Sequence, residues 1–201
     1  MLKLHYSPLS PYARKVLLLA HERGLADQVE LVQTAVSPTQ PNEGYVVTNP
    51  LGKIPALDLG NGEALYDSRV IVAYLDQLPG GPRFIPDGAA RWPAERMQAL
   101  GDGICDAALL VRYEVLRPEA VRHQDWIQGQ RRKIFQALDH LEAHAGDLAA
   151  PTHIGHFAVA AAIGYCYFRD VAGDILAGRP KVAAWFKTFS DRPSMVATKP
   201  A

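Results

Sequence analysis

A small α/β domain followed by an all-helical domain is the architecture this sequence predicts, and three observations predict it. Residues 1–78 alternate strand-like and helix-like segments. The stretch Pro79-Gly-Gly-Pro82 to Asp87-Gly88 is dense in chain breakers. Beyond it, apolar residues recur only at helical spacing. The assignment is therefore an α/β domain over 1–78, a linker over 79–90 and an all-helical domain over 91–201.

Each element has its own signal. Leu2 to Tyr6 reads as a strand, and Pro11 to Arg23 as a helix that stops at Gly24. Gln28 to Gln33 reads as a second strand. Residues 34–50 carry Pro38, Pro41, Gly44 and Pro50, so a loop with at most one helical turn is expected. Ile54 to Asp58 and Ala64 to Tyr66 are short strands flanking the turn Gly60-Asn-Gly62. Ser68 to Gln77 places Val70, Ile71, Tyr74 and Leu75 on one helical face. In the second half, Trp92 to Leu116 is one long helical stretch. Asp125 to His144 carries the stripe Ile127, Ile134, Leu138 and Leu141. Gly155 to Phe168 is apolar on every side, which predicts a buried central helix. Pro180 opens a last helix with Val182, Trp185, Phe186 and Phe189.

Composition excludes several functions. Lys plus Arg and Asp plus Glu are 21 each, so the chain offers no net field for nucleic acid or an anionic membrane. The longest apolar stretch, Phe157 to Phe168, is too short to span a bilayer. Strand-like residues directly at the start predict no signal peptide. Cys105 and Cys166 are far apart in helical contexts, which predicts buried free thiols and a cytoplasmic home. His153-Ile-Gly-His156 lacks a third ligand nearby in sequence, so no metal is expected.

Chemistry concentrates at three places. Ser10-Pro11-Tyr12-Ala13 joins the first strand to the first helix. Taken alone, Ser10 before Pro11 is an ordinary helix cap. The same seam in glutaredoxins carries Cys-Pro-Tyr-Cys; here the proline and tyrosine remain and both sulfurs are gone. Thiol–disulfide exchange by the protein is thereby excluded at this seam, while holding another molecule's thiol is not. Asn49-Pro-Leu-Gly-Lys-Ile-Pro55 places a proline at the start of a strand; in thioredoxin-like folds, which this seam resembles, an X-Pro bond at this place is cis and would turn the N–H and C=O of Ile54 outward to pair with a peptide. Asp67-Ser68 opens a helix, where Ser68 is expected as the cap and the free N–H groups attract a carboxylate.

With SPYxRK, NPxGKxP and DSxxIxxYL in order at suitable spacing, the whole chain resembles the cytosolic glutathione transferases, and most closely bacterial members with a serine at the first helix. The resemblance implies a thioredoxin-like first domain, glutathione as co-substrate, an acceptor pocket against the helical domain, and a homodimer. Ser10 would donate its hydroxyl to the glutathione sulfur. Ile54 would bind the cysteinyl backbone, Ser68 the γ-glutamyl carboxylate and Asp67 the ammonium, with Lys53 assisting a carboxylate. Tyr6, at the end of the first strand, is the rival for the sulfur, because several classes use a tyrosine there. Ser7 is read as a turn residue. Arg112 and Tyr113 are equally placed for an acceptor pocket or for ordinary surface and core. Conjugation to a small, largely apolar electrophile is the first reading. The alternatives are another glutathione-dependent reaction (peroxide reduction, dehalogenation, isomerisation) or a non-catalytic binding protein. Against the family pattern, the Ser/Thr-x-x-Asp box that opens the central helix is replaced by His153 and His156, which predicts a weakened cap.

Overall fold

The computed structural model describes residues 1–200. The chain forms two compact units: Met1–Pro86 together with the chain end from Pro193 on, and Asp87–Arg192.

The first unit is built on a four-stranded mixed sheet in the order β2-β1-β3-β4. Strand β1 (Leu2–Tyr6) runs parallel to β2 (Val29–Gln33) and antiparallel to β3 (Ala56–Asp58), which pairs antiparallel with β4 (Ala64–Leu65). The strands are shorter than their apolar runs. A 3-10 turn at Ala26–Gln28 delays β2, and β3 starts only after Pro55, which has no N–H for a ladder. The loop before it does hold local order: Thr48 and Asn49 N–H groups both close on the carbonyl of Tyr45, which is buried.

Helix α1 (Pro11–Glu22) links β1 to β2, and α2 (Ser68–Gln77) follows β4. Leu18 and Leu19 of α1 and Ile71, Val72 and Leu75 of α2 are fully buried, as are Leu4 and Leu57 of the sheet. Each contributes about 1.5–3 kcal/mol relative to exposure. Helix α1 ends where Gly24 takes φ 69° and the Leu25 N–H reaches back to the Ala20 carbonyl at 2.7 Å.

The breaker-rich segment is pinned to this unit through Pro86. Arg23 donates to the carbonyls of Leu78, Gly80 and Pro82. Buried Asp76 accepts from the N–H groups of Phe84 at 2.7 Å and Ile85 at 3.2 Å.

The second unit is helical. It contains α3 (Arg91–Val115), α4 (Gln124–Ala143), α5 (Ile154–Arg169) and α6 (Pro180–Ser190). Helix α5 is buried from Ile154 to Ile163, as its apolar surround predicts. Helices α3 and α5 touch backbone to backbone. A Cβ on Gly101 would stand 2.6 Å from the Ala158 carbonyl carbon, and one on Gly155 would stand 2.5 Å from Met97 Cβ. Cys105 and Cys166 are buried and form no disulfide, and burial pushes the Cys166 thiol up to about 12. No helix among the described residues is long and apolar enough to cross a membrane.

Two expectations need correction here. The short helix α7 (Pro193–Ala197) packs on α1 of the first unit, so the residues after Arg192 do not continue the helical unit. The tie is Arg14, 6 % exposed, whose guanidinium donates to the Met195 carbonyl at 3.0 Å and to Thr198 Oγ1 at 3.4 Å. The central helix also does not lack its box. His153 Nδ1 accepts the Gly155 N–H, and His156 Nδ1 accepts the His153 N–H, both at 3.1 Å. A neutral imidazole nitrogen is an acceptor as a hydroxyl or carboxylate oxygen is, so the closure is reciprocal with different atoms.

Candidate functional site

The topology gathers the predicted residues at one end of the sheet. Strand β1 finishes at Tyr6 and leads into α1, β3 begins at Ala56 just after Ile54, and β4 finishes at Leu65 just before Asp67 and Ser68. Because β3 runs antiparallel to both neighbours, its start lies beside their ends: His5 is paired with Ala56, and Leu57 with Leu65.

Ser10 is the N-cap of α1, half-buried, with extended backbone. Its Oγ accepts the Ala13 N–H at 3.3 Å, a long bond, and its own N–H donates to the Ser7 carbonyl. Ser7 is a turn residue as expected, its Oγ accepting the Leu9 N–H. Tyr6 is half-buried and lines a small cavity with Arg14, Leu17, His21 and Leu31.

The Ile54–Pro55 bond is cis. Neither the strand ladders nor the loop hydrogen bonds engage Ile54 among the described residues. The residue before it is held firmly: the Lys53 carbonyl accepts the Tyr45 hydroxyl and Asn49 Nδ2, each at 2.7 Å. Burial pushes the Tyr45 phenol up to about 12, with Asn49 opposing. It therefore stays a donor to Lys53. Lys53 itself is exposed. Tyr45 carries no sequence signal for this supporting role, and the signal for Asn49 is its place before Pro50, that of an Asx-type turn residue, whose Oδ1 accepts the Leu51 N–H at 3.0 Å.

At α2 the cap is shifted by one residue from the expectation. Asp67 is the N-cap, its Oδ1 accepting the Arg69 N–H at 2.9 Å, and Ser68 is the first helical residue. Both are cap-forming types, and the pattern alone does not choose between them. Ser68 is buried and Asp67 exposed. Together these segments present a hydroxyl at one helix N-terminus, a residue before a cis proline that no ladder engages, and a second helix N-terminus. That set suits a short peptide bearing a carboxylate and a thiol. In the helical unit, Tyr113 is partly exposed on α3, and Tyr165 of α5 lies under Arg169, 5.8 Å from its guanidinium.

Comparison with known proteins gives a consistent result. Residues 9–78 match the family model described as glutathione S-transferase, N-terminal domain, and residues 124–188 match that described as glutathione S-transferase, C-terminal domain. The fold is similar to the crystal structure of a glutathione transferase family member from Pseudomonas fluorescens Pf-5 with bound glutathione. The identity is 48 %, each chain is covered in full and the TM-score is 0.96. A glutathione S-transferase from Methylobacillus flagellatus with glutathione bound is 34 % identical, again over the whole of both chains, with a TM-score of 0.87. An uncharacterized GST-like protein of Escherichia coli K12, YibF, is 33 % identical over 99 % of this chain and 98 % of its own.

Proposed function

We propose that this chain, which belongs to the glutathione S-transferase family, binds glutathione at the shared end of its sheet and transfers its thiolate to a small electrophile. The convergence of Ser10, Ile54 and Asp67–Ser68 there carries this reading, because it supplies a partner for each part of the tripeptide.

Ser10 donates its hydroxyl to the sulfur and favours thiolate. A free thiol has a pKa near ~8.5, so only a small fraction is thiolate at neutral pH. Lowering it by about two units requires roughly 2.7 kcal/mol. A hydrogen bond to a charged group contributes about 1.5–3 kcal/mol, and the α1 N-terminus adds about 0.3–1. The long Ser10–Ala13 contact leaves the hydroxyl hydrogen available, since the oxygen is the acceptor in that bond. Ile54 pairs its main chain with the cysteinyl residue. Ser68 and the first turn of α2 hold the γ-glutamyl carboxylate, and the Asp67 oxygen not engaged with Arg69 meets the ammonium. Lys53 assists a carboxylate from the exposed side. The thiolate then attacks the electrophilic atom, its electron pair forming the S–C bond as the leaving group departs or the acceptor takes up a proton. A homodimer in the cytoplasm is part of the same proposal. The place of Tyr6 in a cavity with Arg14 and His21 supports Ser10 as the sulfur's partner.

Ultraviolet titration of the bound thiolate tests the assignment. Ser10→Ala is expected to raise the bound thiol's pKa by about 1–2 units, the worth of the lost bond, and Tyr6→Phe to leave it within a few tenths. The reverse pattern would transfer the role to Tyr6. Loss of glutathione binding alone, with an unchanged pKa, would remove both from the sulfur.

A further inference from the structure

Among the described residues, Arg14 is a buried cation without an anion. Among the described residues its guanidinium meets only a carbonyl and a hydroxyl, at Met195 and Thr198. Burial alone lowers its pKa, to about 10, with no carboxylate contributing. Buried charges are ordinarily paired, because an unpaired one forfeits its hydration without return. Two contacts also leave most of the five guanidinium donors uncommitted. Beside Arg14 lies a cavity of about 130 Å³, space for several waters. His21 and Lys199 line it as well, Ser7 and Thr198 contribute hydroxyls, and among the described residues no acidic side chain borders it. Glu22, the acidic residue of α1, lies outside the lining and accepts the Ser194 hydroxyl at 2.5 Å.

We propose that this cavity is a second binding site, separate from the glutathione residues, for a small oxyanion such as phosphate or a short carboxylate. The planar guanidinium suits two oxygens at once, and the Lys199 ammonium and the His21 ring line the same space from the chain end and from the far turn of α1. The cavity is lined by the β1–α1 turn, by α1, by Leu31 of β2 and by the chain end, so an occupant adds to the bonds that Arg14 and Glu22 already make between α1 and the chain end. It also adjoins the active turn, since the Arg14 N–H donates to the Ser10 carbonyl at 3.0 Å.

Thermal melts at constant pH and ionic strength, with phosphate or acetate replacing chloride, test the proposal. They are run with glutathione held saturating, so that its own site is filled. The expected result is a saturable rise in Tm with the oxyanion. Phosphate acting alone identifies a tetrahedral ligand, and acetate acting as well identifies carboxylates generally. Lys199→Ala and His21→Ala, both away from the glutathione residues, should each raise the half-saturating concentration several-fold. Arg14→Lys should abolish saturation; if that variant fails to fold, the other two still decide. A rise that is linear and equal in wild type and variants is general salt exclusion and overturns the site. So does a rise that appears only without glutathione, because the anion then occupies the glutathione site. Failure of glutathione binding itself would show in the preceding titration and leaves this reading standing.

Discussion

Two helices of each unit are capped by different atoms. In the first, oxygen caps α1 and α2 through Ser10 Oγ and Asp67 Oδ1. In the second, imidazole nitrogen caps α4 and α5: His123 Nδ1 accepts the Trp126 N–H at 3.2 Å, and His153 Nδ1 the Gly155 N–H at 3.1 Å. The closures differ too. Ser10 and Asp67 each make a one-sided bond at a partly exposed or exposed position, which leaves a helix end accessible to a ligand. His153 and His156 bond reciprocally, 4.2 Å apart between ring centres, and His156 is 1 % exposed against Trp185 and Phe189. An open helix end is a binding resource and a closed one is a structural joint. The choice of capping atom also decides which unit responds to acid, because an imidazole accepts only while neutral.

The largest effect that probes this contrast is expected from His156→Ala. It removes the reciprocal acceptor and empties a site among aromatic rings, a loss of about 3 kcal/mol. Urea melts measure it. A loss under about 1 kcal/mol would mean that α5 is held by packing alone and that the histidine pair is incidental.

Acid sensitivity comes next. Burial holds His153 down to about 4, with the charge of His156 adding and Asp147 opposing. Burial likewise lowers His156, against backbone contacts at His153, Leu148 and Asp147, with Arg192 adding to the lowering. Both folded values lie below the unfolded ~6.5. The stability these histidines contribute is therefore complete above that value and is lost as pH falls toward 4. After allowance for the partial exposure of His153, the loss is about 2 kcal/mol across that window. Denaturant melts from pH 7 to 4.5 should show it. His153→Ser with His156→Asp should flatten the slope, although the smaller side chains lower stability at neutral pH. An equal slope in this double variant would place the acid response elsewhere.

The smallest effect belongs to the open end. Ser10→Ala is expected to cost about 1 kcal/mol or less, since the capping contact is long and only half sheltered. Its slope with pH should match wild type. A stability loss as large as that of His156→Ala would make Ser10 a structural joint as well, and would weaken its assignment to the thiol.

The sequence made some of this legible and hid the rest for physical reasons. Helices α1 to α6 announce themselves by apolar period and by breakers such as Gly24 and Pro180, because burial requires a continuous face. The end of the sheet was legible because Ser10-Pro11, Ile54-Pro55 and Asp67-Ser68 each constrain the backbone. The shift from Ser68 to Asp67 was not, as either side chain reaches an amide two or three residues on. The histidine box is hidden from the sequence because cap preference follows residue type, whereas capping itself requires only a well-placed lone pair. The return of α7 to the first unit was hidden most completely. Arg14 binds the main-chain carbonyl of Met195, and a carbonyl has no residue identity to read.

That return has a consequence for how the molecule is made. Residues 193–197, which complete the first unit, are separated from Pro86 by the whole second unit. A ribosome adding about 5–20 residues per second needs roughly 5–20 s to cross that interval. During it, the α1 surface that later carries α7 is uncovered, and Arg14 lacks its Met195 acceptor. The earlier-synthesised unit therefore finishes last. Its final closure waits on translation rather than on its own search, and a nascent chain stalled within α6 would expose this face of α1 to whatever chaperone attends it.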